Sequence, residues 1–424
     1  MRIAIVSAVA ALLLVQSCIL QPPDPPIDPP SCGFVCSNTY PLTTVQKKNL
    51  EGIYLVESGS EVFGSTVVVK WNTGSHMTIL TGENVSYLVM QAGHLDSVFF
   101  FEGYWRSQNS SRSGRAEFTI AKQAGGRRLM GDSSASGQCV IEGSVGEGNG
   151  EPSIPVLLRY QWAIRPEILA RRFWIVAHRG GGRMSEHPPQ SENTAELIRL
   201  AEQFGANGIE IDVRLTKDDV PVLYHDNTLN PRLVQKTPML GGVEDYTYPQ
   251  LYTFIRLLNG ERIPTLDEAL RTVVYETNLS FVWLDMKTEE RDLVRRVVPL
   301  LEQYMTEASN LALQGKRDSL EIMVGVPTDN IYHELLAYPP YRSVPSVSEN
   351  SLEWARTLGS RVWGPLWSKG ISFQDNAVAR SEGRRIFVWT LDEPQFIQQY
   401  DQSGQYDGIL TDYPTIVAYY HYVR

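Results

Sequence analysis

The chain has 424 residues, more than one ordinary compact core accommodates, so two folded bodies with accessory segments are expected. Its formal net charge of -10 excludes a nucleic-acid platform or a polybasic membrane patch, because both need an excess of Lys and Arg. A phosphate-bearing ligand must therefore meet a local positive site.

Residues 1–17 read as a secretory signal: Arg2 supplies an early positive charge, and Ile3 to Val15 form an apolar run too short for a comfortable membrane span. Val15-Gln16-Ser17-Cys18 resembles a bacterial lipoprotein cleavage box with an atypical Gln16, which implies that Cys18 becomes the lipidated first residue of the mature chain. This predicts a cell-envelope protein, lipid-anchored at the outer membrane or cell surface; a plain secreted protein or an uncleaved anchor is the alternative. Within residues 18–39, the Pro-rich stretch Gln21 to Pro30 lacks the backbone donors of a helix or sheet and reads as a polyproline spacer. Of 4 Cys, a lipidated Cys18 leaves Cys32, Cys36 and Cys139, so at most one disulfide forms within the chain. Cys32 and Cys36 are the pair nearest in sequence.

Residues 40–165 are written in short strands: Ser65 to Trp71, Met77 to Leu80, Val85 to Met90, Ser97 to Trp105, Ala116 to Ile120, Cys139 to Gly143 and Val156 to Trp162. Their spacing predicts an antiparallel β barrel or β sandwich. Arg106 to Arg115 reads as a polar hairpin and Lys122 to Gln138 as a loop. His76 and His94 are lone histidines and read as surface or satisfied core residues. Phe99, Phe100, Phe101, Tyr104 and Trp105 read as core packing, with a lipid or glycan pocket as the alternative.

From Pro166 to Arg424 apolar runs alternate with amphipathic helix candidates, which predicts a parallel α/β domain. Strand candidates are Trp174 to Ala177, Gly208 to Val213, Val220 to Tyr224, Phe281 to Asp285, Glu321 to Gly325, Ser343 to Val347, Arg361 to Gly364, Ile386 to Leu391 and Gly408 to Thr411. These exceed by one the strands of a TIM (β/α)8 barrel, whose usual size of roughly 250 residues fits this segment. Helices are expected over Glu192 to Phe204, Leu266 to Glu276, Arg291 to Tyr304, Asn330 to Ala337, Ser351 to Leu358, Asp375 to Glu382 and Pro394 to Tyr400. A doubly wound sheet is the rival fold, but no Gly-rich phosphate loop opens its first helix.

Four patches end strand candidates and would share one rim of such a barrel: Ala177-His178-Arg179-Gly180, Gly208 to Asp212, Tyr224-His225-Asp226 and Leu284-Asp285-Met286-Lys287. Glu210 and Asp212, two apart in a strand, point to one side of the pleat, and Asp285 ends the fourth strand candidate. Three carboxylates suit a hard divalent cation, Mg2+ or Ca2+, rather than zinc. His178 and His225 titrate near neutrality and fit general acid and base. Arg179 and Lys287 offer the positive field a phosphate requires. The set points to metal-assisted phosphodiester hydrolysis.

The chain from about residue 173 to 424 resembles the glycerophosphodiester phosphodiesterase family. The likeness runs in order through Ala177-His178-Arg179-Gly180, Glu192-Asn193-Thr194, Glu210-Ile211-Asp212-Val213, Pro221 to Asp226, Ile263-Pro264-Thr265-Leu266, Val388-Trp389-Thr390 and Asp407 to Asp412. It implies a TIM barrel and cation-dependent cleavage of a small glycerophosphodiester to glycerol 3-phosphate and an alcohol. It also implies His178 and His225 as acid and base, Glu210 and Asp212 as metal ligands, and Arg179 and Lys287 as phosphate contacts. Residues 227–262 would form a cap, with Trp389 as an apolar wall there. The family's third ligand is commonly Glu in Glu-x-Lys. Asp285-Met286-Lys287 instead resembles the Asp-x-Lys of sphingomyelinase D-type phospholipases, which leaves phospholipase D-like or wall-polymer cleavage as alternatives. The loop from Gly181 to Ser191 is longer than the family's usual link and carries His187. A third alternative is a non-catalytic lipoprotein whose β domain holds a lipid or glycan.

Overall fold

The structure, a computed structural model, describes residues 33–72, 76–131, 139–288, 292–349 and 351–424. The signal segment, Cys18, the Pro-rich spacer, Cys32 and the end of the expected loop at residues 132–138 lie outside the described residues.

The N-terminal sheet contains β1 (Tyr40–Pro41), β2 (Gly52–Ser58), β3 (Thr66–Trp71), β4 (Met77–Thr81), β5 (Ser86–Leu95), β6 (Val98–Ser107), β7 (Ser113–Ile120), β8 (Val140–Val145) and β9 (Ile154–Trp162). β2 to β9 pair antiparallel in sequence order, and β9 returns to β2, so the sheet closes into a barrel; β1 adds to the end of β5. Between the two readings left open by the strand spacing, the closed barrel is the one adopted. The period-two alternation sets the packing: Phe99, Phe101 and Trp105 of β6 point into the core with Phe118, Ile120, Leu88 and Met90. Phe100 instead stands outside against Phe34. The aromatics are thus core and surface contacts, as the packing reading expects. β2 and a helix at Thr44–Leu50, closed by a Thr43/Gln46 capping box, go beyond the expected elements. Cys36 is disulfide-bonded, while Cys139 is a buried free thiol 3.1 Å from the Tyr54 hydroxyl.

The C-terminal sheet contains β10 (Trp174–Ala177), β11 (Gly208–Leu215), β12 (Pro221–Leu223), β13 (Phe281–Met286), β14 (Glu321–Val326), β15 (Ser346–Glu349), β16 (Val362–Gly364), β17 (Arg385–Val388) and β18 (Gly408–Thr411). All but β12 are parallel neighbours, and β18 and β11 both flank β10, which closes a (β/α)8 barrel. β12 is the surplus strand: it pairs antiparallel with the end of β11, so Val220 to Tyr224 is a return and not a barrel strand. Asp285 therefore ends the third barrel strand. Two boundaries also shift. β15 begins at Ser346 because residues 341–343 form a 3-10 turn, and β17 ends at Val388, after which Trp389 bridges to Leu366.

The expected helix Glu192 to Phe204 is replaced by two short turns, Ala195–Ile198 and Ala201–Phe204. Glu192 and Asn193 cannot join it, because Asn193 is left-handed at φ 60° and both side chains serve the rim, while Thr194 caps the first turn. Helices at Tyr248–Phe254 and Pro414–Val423 go beyond those expected. The Pro414–Val423 helix joins the two barrels: Val417, Ala418 and Tyr419 pack with Ile53, Val68 and Leu80 of β2 to β4, and Tyr87 of β5 packs on Phe204. No helix among the described residues is long and apolar enough to cross a membrane.

Candidate active site

β11 and β13 run parallel with Asp212 directly beside Asp285, and Glu210 lies two residues below on the same face. One oxygen from each of Glu210, Asp212 and Asp285 lies within 4.8 Å of the others. Each carboxylate also has one oxygen held by the protein. The Arg179 backbone N–H donates to Glu210 Oε2 at 2.9 Å, Asn193 Nδ2 to Asp212 Oδ2 at 2.7 Å, and Lys287 Nζ to Asp285 Oδ2 at 2.5 Å. Of the opposite oxygens, Glu210 Oε1 and Asp285 Oδ1 are buried without a hydrogen-bond partner, and buried Asp212 Oδ1 is ion-paired with Lys287 Nζ at 3.2 Å. Anionic oxygens are costly to bury without enough counter-charge, and three converging carboxylates form the donor set of a hard divalent cation. The residues therefore fit such an ion.

Electrostatics agree with this arrangement. Burial, reinforced by Asp212, raises the Glu210 carboxyl well above the ordinary range; Asp212, although buried, is held low by Lys287 and His225. Lys287 Nζ lies 3.2 Å from Asp212 Oδ1, between two of the carboxylates.

The two imidazoles differ. His178 follows β10, and its Nδ1 lies 2.7 Å from Oδ1 of Asp412, the residue after β18; Nε2 lies 3.7 Å from Glu210. Burial disfavours the imidazolium, but Asp412 and Glu210 outweigh it and push the pKa up to about 9. His225 reaches the rim differently from the sequence expectation, because β12 brings it back beside Asp212, whose carbonyl accepts the Tyr224 N–H at 3.2 Å. Its Nδ1 is 2.7 Å from Asp226, and burial, helped by Arg179 and Lys287, lowers its pKa. One ring is thus charged and the other neutral near neutrality, each oriented by a carboxylate through Nδ1. Together the three carboxylates, the two imidazoles and Lys287 form a set that can bind a phosphodiester and move two protons.

The sequence matches the Glycerophosphoryl diester phosphodiesterase family over residues 178–416. This chain belongs to that family. Glycerophosphodiester phosphodiesterase of Caldanaerobacter subterraneus is 27% identical over 252 residues, covering 57% of this chain and 94% of the relative. Glycerophosphodiester phosphodiesterase 1 of Mus musculus is 41% identical over 124 residues, 27% of this chain and 34% of the relative. A crystal structure of glycerophosphodiester phosphodiesterase from Agrobacterium tumefaciens aligns with TM-score 0.44 and 18% identity, over 57% of this chain and 97% of that one.

The remaining expected residues of the phosphodiesterase barrel take different positions. Arg179 is left-handed at φ 52° and buried; its guanidinium donates to Glu192 at 2.7 Å, while its Nε lies 3.8 Å from Asp212 without a hydrogen bond. It is thus committed largely to Glu192, which also accepts from Arg232. Trp389 is half-buried beside Phe387 and Trp283, and its Nε1 donates to the Gly364 carbonyl at 2.7 Å. Residues 227–262 carry their own apolar cluster, in which Leu229, Leu233, Leu251 and Ile255 pack on Tyr224 and Met184 beside the rim. Asn193, Asp226 and Asp412 hold site residues although sequence reasoning gave them no role. All three stand inside the motifs that carry the family likeness, and that adjacency was the available signal.

Proposed function

We propose that this chain hydrolyses glycerophosphodiesters to glycerol 3-phosphate and an alcohol, with a divalent cation held by Glu210, Asp212 and Asp285. The observation that carries the reading is that Glu210, Asp212 and Asp285 each bring a carboxylate oxygen within 4.8 Å of the others, with Lys287 ion-paired to Asp212 and His178 Nε2 3.7 Å from Glu210. When bound, the cation supplies charge for a non-bridging phosphate oxygen and for the charge that develops in the transition state.

The chain's own groups do the rest. Lys287 and the buried edge of Arg179 add positive field on the phosphoryl group. His225, neutral and oriented by Asp226, accepts at Nε2 a proton of the attacking water as the water oxygen bonds to phosphorus. His178, charged through Asp412, donates from Nε2 to the departing alkoxide as the phosphorus–oxygen bond breaks. The sum is addition of water across that bond. Trp389 walls the glycerol side under the 227–262 cap.

The test is purified full chain with glycerophosphocholine, following glycerol 3-phosphate with and without a chelator. Loss of turnover with chelator and recovery with Mg2+ or Ca2+ supports the reading; chelator-resistant turnover overturns the cation. A parallel assay with lysophosphatidylcholine reads the phospholipase D-like alternative raised by Asp285. The lipid anchor is part of the same proposal: labelled acyl chain should enter the protein expressed in a bacterium and vanish in Cys18→Ser.

A further inference from the structure

The loop from Gly181 to Ser191 is joined to the N-terminal barrel by a buried cation. Arg106 stands on β6 with its alternation pointing out of the barrel, and it is only 6% exposed. Its Nε donates to the backbone carbonyl of His187 at 2.7 Å. His187 is left-handed at φ 50°, a conformation a β-carbon disfavours, so the loop needs outside support at that point.

Four residues earlier in the loop, Arg183 places Nε 2.8 Å from Oδ2 of Asp412, the oxygen opposite the one that holds His178. Arg183 is itself fixed by Glu186 at 3.0 Å, and Glu186 accepts from the Tyr413 hydroxyl. The segment carrying Asp412 is tied to the same strand of the β barrel, because the Thr415 hydroxyl bonds to the Gln108 side chain just past β6. Both halves of the Arg183–Asp412 pair therefore rest on one edge of the β barrel.

We propose that the β barrel is a positioning element of the active site, acting through Arg106 on the 183–187 loop and thence on Asp412 and His178. Arg106 touches no substrate. It fixes where Arg183 meets Asp412, and so the ring orientation from which His178 delivers its proton; small misplacements of a catalytic group cost rate rather than binding. The inference rests on the reading of His178 as proton donor.

The test uses the full chain and steady-state kinetics on glycerophosphocholine. Arg106→Ala is expected to lower kcat about tenfold with KM within about twofold, and Arg106→Lys, which can still donate to the carbonyl, to recover part of the loss. Arg106→Ala combined with Arg183→Ala should lower kcat no further than Arg183→Ala alone, since both act through one chain of contacts. Thr66→Val, which removes the interface bond to Tyr419, should leave kcat unchanged. Wild-type kcat in Arg106→Ala with a lowered melting temperature would mean a purely structural contact and overturn the proposal, as would additive effects in the double variant. If Arg106→Ala does not fold, Arg106→Gln is read by the same criteria. His178→Ala is measured alongside: retained turnover there removes the histidine reading, whereas an inactive His178→Ala with an unimpaired Arg106→Ala removes only the inference.

Discussion

The two barrels close their sheets alike and fill their interiors with apolar side chains, yet they concentrate chemistry differently. In the N-terminal barrel successive strands run in opposite directions, so residues that leave the sheet are shared between two ends. Among its described residues the buried polar atoms without a hydrogen bond, such as those of Asn49 on the Thr44–Leu50 helix and Tyr87 on β5, belong to separate elements. In the C-terminal barrel all eight closing strands point one way, and the residues at or just past their ends meet at one rim: His178, Glu210, Asp212, Asp285 and Asp412. A parallel barrel collects charge at one mouth, and an antiparallel barrel of the same strand number does not.

Substitutions at the rim should abolish turnover without unfolding, whereas substitutions in the apolar interior of the β barrel should do the reverse. The largest effect is expected for His178→Ala and His225→Ala, each lowering kcat by about 10²–10⁴-fold with little change in melting temperature. Full activity in both would break the contrast. Asp285→Ala should raise steeply the cation concentration needed for half-maximal rate, measured by titrating Mg2+ or Ca2+ into chelator-treated protein. Phe101→Ala, inside the β barrel, should cost about 3–5 kcal/mol in denaturant unfolding while leaving that cation requirement unchanged.

The pH dependence sharpens the contrast between the two imidazoles. His225 is lowered from 6.5 by burial and must be neutral to act, so kcat/KM should rise with pH through a limb below 6.5. His178 is raised to about 9 and must be charged, so activity should fall as pH passes through that region. Asp412→Asn removes its main partner and should move the alkaline limb downward. The smallest effect is expected for Tyr54→Phe, which deletes the bonds to the Leu50 carbonyl and Cys139 and should cost about 1–2 kcal/mol by thermal or chemical unfolding.

Much of the site was readable because catalytic types stood at strand ends: His178 after Trp174 to Ala177, Glu210 and Asp212 at one pleat phase, and Lys287 two beyond Asp285. The return strand β12 was not, since an apolar run such as Val220 to Tyr224 has the same pattern whether it pairs parallel or antiparallel. The break in the Glu192 to Phe204 helix was hidden for a related reason. Its first residues have ordinary helical periodicity and leave the helix because Asn193 pairs with Asp212 of β11 and Glu192 with Arg179 and Arg232, all distant in sequence.

The linear order of residues was enough to determine the class of each half, the donor types and the phosphodiesterase family, because periodicity and local motifs are properties of short segments. How the three carboxylates converge, which carboxylate orients each imidazole and how Arg106 reaches the His187 carbonyl were decided only by folding. Those depend on distances between groups far apart in the chain and on the burial that strengthens their charges.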